Sequence, residues 1–231
     1  MRLAFTMSEQ EVPLAQTINL EPIIERISAD LSQKDRVRTR TLERSRAVIR
    51  SCANSIRATH RQEYESAHKL LEEAATEAEA MCADARVYPD VYYAGYLQDS
   101  LKELAEAAIT LALITQEPLP DPDAMGIDYP AYLNGLGEAM GELRRFALDS
   151  MRRDQIAEAE RLLEIMDEVY SFLVTIDFPD AMTGGLRRTT DMVRGVIERT
   201  RGDLTTAVRA EKLQASLRAF EERLNTRGGQ S

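Results

Sequence analysis

The sequence predicts an all-α protein, and three observations carry that prediction. Apolar residues recur three and four positions apart along nearly all of the chain between Glu21 and Leu224, the spacing that lines up one side of a helix. No segment alternates apolar and polar residues as a half-buried strand does. Helix-breaking proline and glycine gather at Val87-Tyr-Pro-Asp90, Pro118 to Gly126, Asp177-Phe-Pro-Asp180 and Gly184-Gly185. Together these breaks define about six or seven helices packed as a bundle.

Residues 1–20 show no sustained periodicity and are expected to form a flexible arm. The first helix begins at Glu21-Pro22, where proline suits a first turn. Its apolar face runs through Ile23, Ile24, Ile27, Leu31, Leu42, Ile49, Ala53 and Ile56. The opposite face is dense with arginine, at 36, 40, 44, 46, 50, 57 and 61. Thr59-His-Arg-Gln62 has the form of a capping box and predicts the start of a second helix. That helix turns Ala67, Leu70, Leu71, Ala74, Ala78 and Met81 inward and stops near Arg86.

Tyr88, Tyr92, Tyr93 and Tyr96 open the third helix. Its stripe is Leu97, Leu101, Leu104, Ala105 and Ala108, and it ends near Glu117. The proline-rich stretch that follows is a short rigid loop. The fourth helix starts after Asp128-Tyr-Pro130, with Leu133, Leu136, Met140, Leu143 and Ala147 inward. It contains Gly135, Gly137 and Gly141. A helical glycine costs about 1 kcal/mol relative to alanine, so such a cluster signals close helix approach or room for a ligand. The fifth helix spans Asp154 to Ile176. A last long segment runs from Leu186 to Leu224, with Gly202 as the point where it would kink. The organisation expected is thus one domain over 21–224 and a polar tail over 225–231.

Composition narrows the function. The chain of 231 residues is 44% hydrophobic, enough for a substantial core. No apolar run reaches bilayer length, so a membrane-spanning protein is not expected. The first residues lack the basic-then-apolar order of a secretory signal, which points to the cytoplasm. Cys52 and Cys82 sit in helical patterns and read as buried thiols rather than a disulfide or metal pair. His60 and His68 read as surface or boundary residues. A net charge of −10 disfavours general polyanion binding, so nucleic acid would need a local basic surface. Lysine occurs only at 34, 69, 102 and 212, and the remaining cations are arginine, which suits bidentate phosphate contacts. For the arginine face of the first helix, a solvated surface paired with nearby acids is the simpler reading and a phosphate-binding wall the sharper one.

The acids of the third and fourth helices form the main functional candidate. Glu103 and Glu106 are three apart, and Glu138 and Glu142 four apart, so each pair shares a helix side. Carboxylates without histidine or cysteine suit magnesium or manganese. On spacing alone a solvated face explains these pairs better, since Glu160 with Glu164, and Glu164 with Glu168, fit the same template among 39 acidic residues.

The chain resembles the translin and Trax family, as a Trax-like homologue of the archaeal or bacterial type, over about residues 21 to 224. The resemblance lies in Arg38-Thr-Arg-Thr-Leu-Glu-Arg-Ser-Arg46, in Leu97 to Ile109, and above all in Tyr132-Leu-Asn-Gly-Leu-Gly-Glu-Ala-Met-Gly-Glu-Leu143. Leu186-Arg-Arg188 and Asp191 fit the family's last long helix. Glu103, Glu106 and Glu142 match Trax acids, and Glu138 falls where Trax has aspartate. The basic, histidine-bearing segment of translin is replaced by the nearly uncharged Tyr88 to Gly95. The resemblance implies a metal-dependent endoribonuclease acting on single-stranded RNA inside a hollow homo-octamer, with Mg2+ or Mn2+ as cofactor. Catalysis and metal binding would fall to Glu103, Glu106, Glu138 and Glu142. RNA binding would fall to Arg36, Arg38, Arg40, Arg46 and Arg145. The alternatives are a non-catalytic single-stranded RNA- or DNA-binding protein of translin type, or a structural oligomer whose acids form a solvated face.

Overall fold

A computed structural model describes residues 19–228, with side chains described to residue 223. The expected N-terminal arm lies outside the described residues apart from Asn19 and Leu20. Among the described residues there are helices and no strands, as the periodicity requires. They are α1 (Glu21–His60), α2 (Tyr64–Ala85), α3 (Pro89–Tyr92), α4 (Gly95–Thr115), α5 (Pro122–Met125), α6 (Tyr129–Met151), α7 (Ile156–Leu173), α8 (Asp180–Thr183) and α9 (Leu186–Gly228).

The chain divides into two units, residues 1–36 and 37–231, so the boundary falls inside α1. In the first unit α1 exposes Ile23, Ile24, Ile27 and Leu31. In the second unit α6 is the central element, packed by α4, α7 and α9. Leu97, Leu101 and Ile109 of α4 meet Met140 and Leu143 of α6, Leu162 and Met166 of α7, and Val193 of α9 in one buried cluster. Val48 and Cys52 bring the second half of α1 into the same core. Full burial of each large apolar side chain is worth about 2 kcal/mol, and this sum sets the position of α4 against α6.

The glycines of α6 divide by task. A Cβ on Gly135 would lie 2.6 Å from the Lys102 carbonyl oxygen and 2.8 Å from the Ala105 Cβ. Here α4 and α6 touch backbone to backbone, which no other residue would allow. A Cβ on Gly137 would lie within van der Waals overlap of the Thr189 methyl on α9. Gly141 faces open space.

Several boundaries differ from the sequence reading. Thr59 is fully buried and its hydroxyl donates to the Ser55 carbonyl at 2.9 Å. It therefore continues α1 and does not cap α2, which starts at Tyr64 with no side-chain cap. The chain turns at Gln62, whose φ of 62° is left-handed. The proline-rich loop holds α5, capped by Asp121, whose side chain accepts from the Asp123 and Ala124 amides. α9 continues through Gly202, where a kink was expected, and on to Gly228, so the residues expected as tail are helical as far as the structure describes them. Both cysteines are free and buried, as expected. His60 is only 6% exposed, against the expectation of a surface or boundary residue. Among the described residues no helix is long and apolar enough to cross a membrane.

Candidate metal centre

The close approach at Gly135 fixes where the acids of α4 and α6 meet. The apolar stripe of α4 is buried through Leu101, Leu104 and Ala105, so Glu103 and Glu106 emerge at its edge and are half-buried. Glu138 faces them from α6. One carboxylate oxygen from each of Glu103, Glu106 and Glu138 lies within 4.8 Å of the others. The acids thus line the seam between the two helices, and do not stand on an outer face.

Glu142 takes a different partner. Its Oε2 accepts a hydrogen bond from His60 Nε2 at 2.5 Å, and Arg145 Nη1 stands 3.9 Å from the same oxygen. Its charge still reaches the cluster, because it contributes to the shifts at Glu103 and Glu106. Lys102 Nζ donates to Glu138 Oε1 at 2.8 Å. His60 sits beside the Phe146 ring, centroids 6.2 Å apart, and its Nδ1 is buried without a partner among the described residues. His60 is the site residue that sequence reasoning missed. It lies 82 positions from Glu142, and neither α-helical spacing nor a local motif links them.

The electrostatics follow from the crowding. Burial, then the charges of Glu103, Glu138 and Glu142, push the Glu106 carboxyl up to about 8. Glu103 is raised for the same first reason, burial, with Lys102 opposing. The His60 hydrogen bond holds Glu142 below the ordinary carboxylate range despite burial. For Lys102, burial pulls the ammonium down, but the hydrogen bond to Glu138 and the surrounding acids outweigh it and leave it raised. Beneath the acids lies Cys52, whose thiol is pushed up to about 12 by burial and by the charges of Glu103 and Glu106. Carboxylates this close cannot all ionise unless a cation joins them. Three hard oxygens in one small space fit magnesium or manganese.

The predicted arginines are spread more widely. Arg36 belongs to the first unit. Arg38 and Arg46 are exposed on α1. Arg40 pairs with Asp84 of α2 at 3.5 Å, and its neighbour Arg44 pairs with Glu77 and Asp84 at 3.5 and 3.7 Å. Of the predicted arginines, Arg145 is the one that pairs with a site acid among the described residues.

No family model matches the chain. An uncharacterized protein of Methanocaldococcus jannaschii is 31% identical over 192 residues, covering 83% of this chain and 85% of that protein. The crystal structure of AfC3PO matches with a TM-score of 0.75 and 32% identity over 81% of this chain and 97% of its own. A complex of AfC3PO with duplex RNA matches with a TM-score of 0.72 and 30% identity, over 84% and 98%. Apo-NeC3PO, at 23% identity and a TM-score of 0.68 over 84% and 99%, shares the fold.

Proposed function

We propose, from the premise that the chain belongs to the translin/Trax family, that it is a metal-dependent endoribonuclease cutting single-stranded RNA enclosed in a homo-octamer in the cytoplasm. The observation that carries this reading is the convergence of Glu103, Glu106 and Glu138 within 4.8 Å. Mg2+ or Mn2+ held by these carboxylates would supply Lewis-acid stabilisation of the scissile phosphate and lower the pKa of a bound water.

The chain's own residues do the rest. The Lys102 ammonium fixes the Glu138 carboxylate through its 2.8 Å hydrogen bond. His60 orients Glu142 and keeps it ionised, so that Glu142 would accept the proton an attacking water gives up. Arg145, exposed beside it, would contact the RNA backbone. RNA as ligand is supported by the duplex complex of the 30% identical relative. Self-association is supported by the exposed Leu213, Leu217 and Phe220 of α9.

A second reading is a non-catalytic single-stranded RNA- or DNA-binding protein. The turn of Glu142 toward His60, away from the cluster, favours it. Incubation with labelled single-stranded and duplex RNA, in EDTA, magnesium and manganese, separates the two, with Glu106→Ala alongside. Metal-dependent cleavage of the single strand, lost in Glu106→Ala, is expected. Binding without cleavage in any metal, contaminating nuclease excluded, would leave the second reading.

A further inference from the structure

Beside the acid cluster, and sharing Lys102 and Glu138 with it, lies a pocket of about 740 Å³ between α4, α6, α8 and the start of α9. Its size falls in the range of small-molecule sites, about 300 to 1,000 Å³. Its mouth carries the exposed Tyr93 and Met182. Arg188 lines it from α9, and among the described residues no acid pairs with Arg188. Arg187, Arg194 and Arg201 on the same helix each have a carboxylate partner.

We propose that this pocket is a nucleotide subsite, which takes one nucleotide next to the cleaved linkage, with Arg188 on its phosphate and Tyr93 stacked on its base. The proposal rests on the ribonuclease reading and adds where the strand lies. A guanidinium without an acid partner is a donor fork for phosphate oxygens. An exposed tyrosine offers a stacking face that accepts every base. The T-shaped contact of its ring with Tyr92, centroids 4.9 Å apart, supports it from behind.

The same lining explains why such a subsite would not read sequence. The Asn134 amide is spent on the fold: its Nδ2 donates to the Pro130 and Thr183 carbonyls, and its Oδ1 accepts from the Thr189 hydroxyl. The Gln98 amide donates to the Tyr92 carbonyl and to Asp128. The Asn134 amide and the Gln98 amide nitrogen are thus engaged within the fold and do not donate to a base edge. Ala131, Met182 and Met192 add apolar surface to the wall. Exposed Asp99 at the same pocket repels phosphate and the Lys102 ammonium is engaged by Glu138, so the orienting attraction falls to Arg188.

The test is fluorescence anisotropy of the full chain with labelled oligo(A) and oligo(U) single strands in EDTA, across a salt series. Arg188→Ala and Tyr93→Ala are compared with Arg201→Ala, all three exposed positions at which folding is checked by circular dichroism. Tyr93→Ala and Arg188→Ala should each weaken binding by at least about fivefold, equally for both sequences. Arg188→Ala should also lower the salt slope by about 0.7, and Arg188→Lys should restore that slope. Parental binding and slope in both alanine variants would overturn the subsite while leaving the nuclease reading intact. Absence of RNA binding by the parent in EDTA would overturn the subsite, and its absence in magnesium and manganese as well would overturn both.

Discussion

Two charged regions of this molecule treat their charges in opposite ways. On the outer side of α1 and α2, Arg40 and Arg44 meet Glu77 and Asp84 at 3.5 to 3.7 Å. Cation and anion are matched within the surface, and each pair is worth little. In the seam between α4 and α6, Glu103, Glu106, Glu138 and Glu142 face Lys102, His60 and the more distant Arg145. There the acids outnumber their partners, and the backbone contact at Gly135 brings the two helices close together. The region that looks functional by its density of arginine is balanced at Arg40 and Arg44. The region whose acids look ordinary by spacing gathers carboxylates in excess of their partners, and burial with mutual repulsion pushes Glu106 up to about 8.

The sharpest way to break this comparison is Glu106→Gln. It should lower cleavage, measured on labelled RNA in magnesium, by at least about a hundredfold, while chromatographic assembly stays unchanged. Cleavage at the parental rate would show that the excess of carboxylates has no catalytic use.

Next in size is Gly135→Ala. Its added methyl meets the α4 backbone and should cost about 1 to 3 kcal/mol in urea unfolding. Gly141→Ala, further along the same helix and facing open space, should instead stabilise by up to about 1 kcal/mol. Equal effects at the two positions would mean that the seam is not held by Gly135.

The pH dependence sharpens the contrast further. Glu106 ionises near the ordinary glutamate value of 4.5 when unfolded but only at about 8 when folded. Between those values the unfolded chain has released a proton that the folded chain retains, so stability contributed by protonated Glu106 is lost as pH rises from about 5 to 8. Thermal melts in EDTA should fall over that window. Magnesium, or Glu106→Gln, should flatten the fall, and a slope indifferent to magnesium would remove the cation from the seam.

The smallest effect is expected at the surface. Arg40→Ala, 60% exposed in its side chain, should change unfolding free energy by less than about 1 kcal/mol. A larger loss would show that the α1–α2 pairs do more than balance charge.

Sequence made the helices legible because each buries a continuous stripe, and it made Glu103 and Glu106 legible as a pair on one side of α4, though it set them opposite the stripe where packing leaves them half-buried at its edge. It also signalled the tight contact, since Gly135 and Gly137 are poor helix formers placed where bulk is excluded; Gly141, of the same type, meets nothing and carries no such meaning. The His60–Glu142 bond was not legible. It joins the end of α1 to the middle of α6, and its existence depends on how both pack on α4, which no local pattern encodes. Thr59 misled for a related reason: its burial commits its hydroxyl to Ser55 in its own helix, where an exposed threonine would have been free to cap the next.

The cysteine beneath the acids has a practical consequence. Only a thiolate attacks an alkylating reagent, and Cys52 is closed off both by burial and by a pKa near 12. Cys82 is buried and raised as well. Iodoacetamide should therefore leave Cys52 of the native chain unlabelled and modify it only when α1 parts from the core. The two thiols act as clocks for opening of the core, and the rate of their labelling, with and without magnesium, reports on the seam without any mutation.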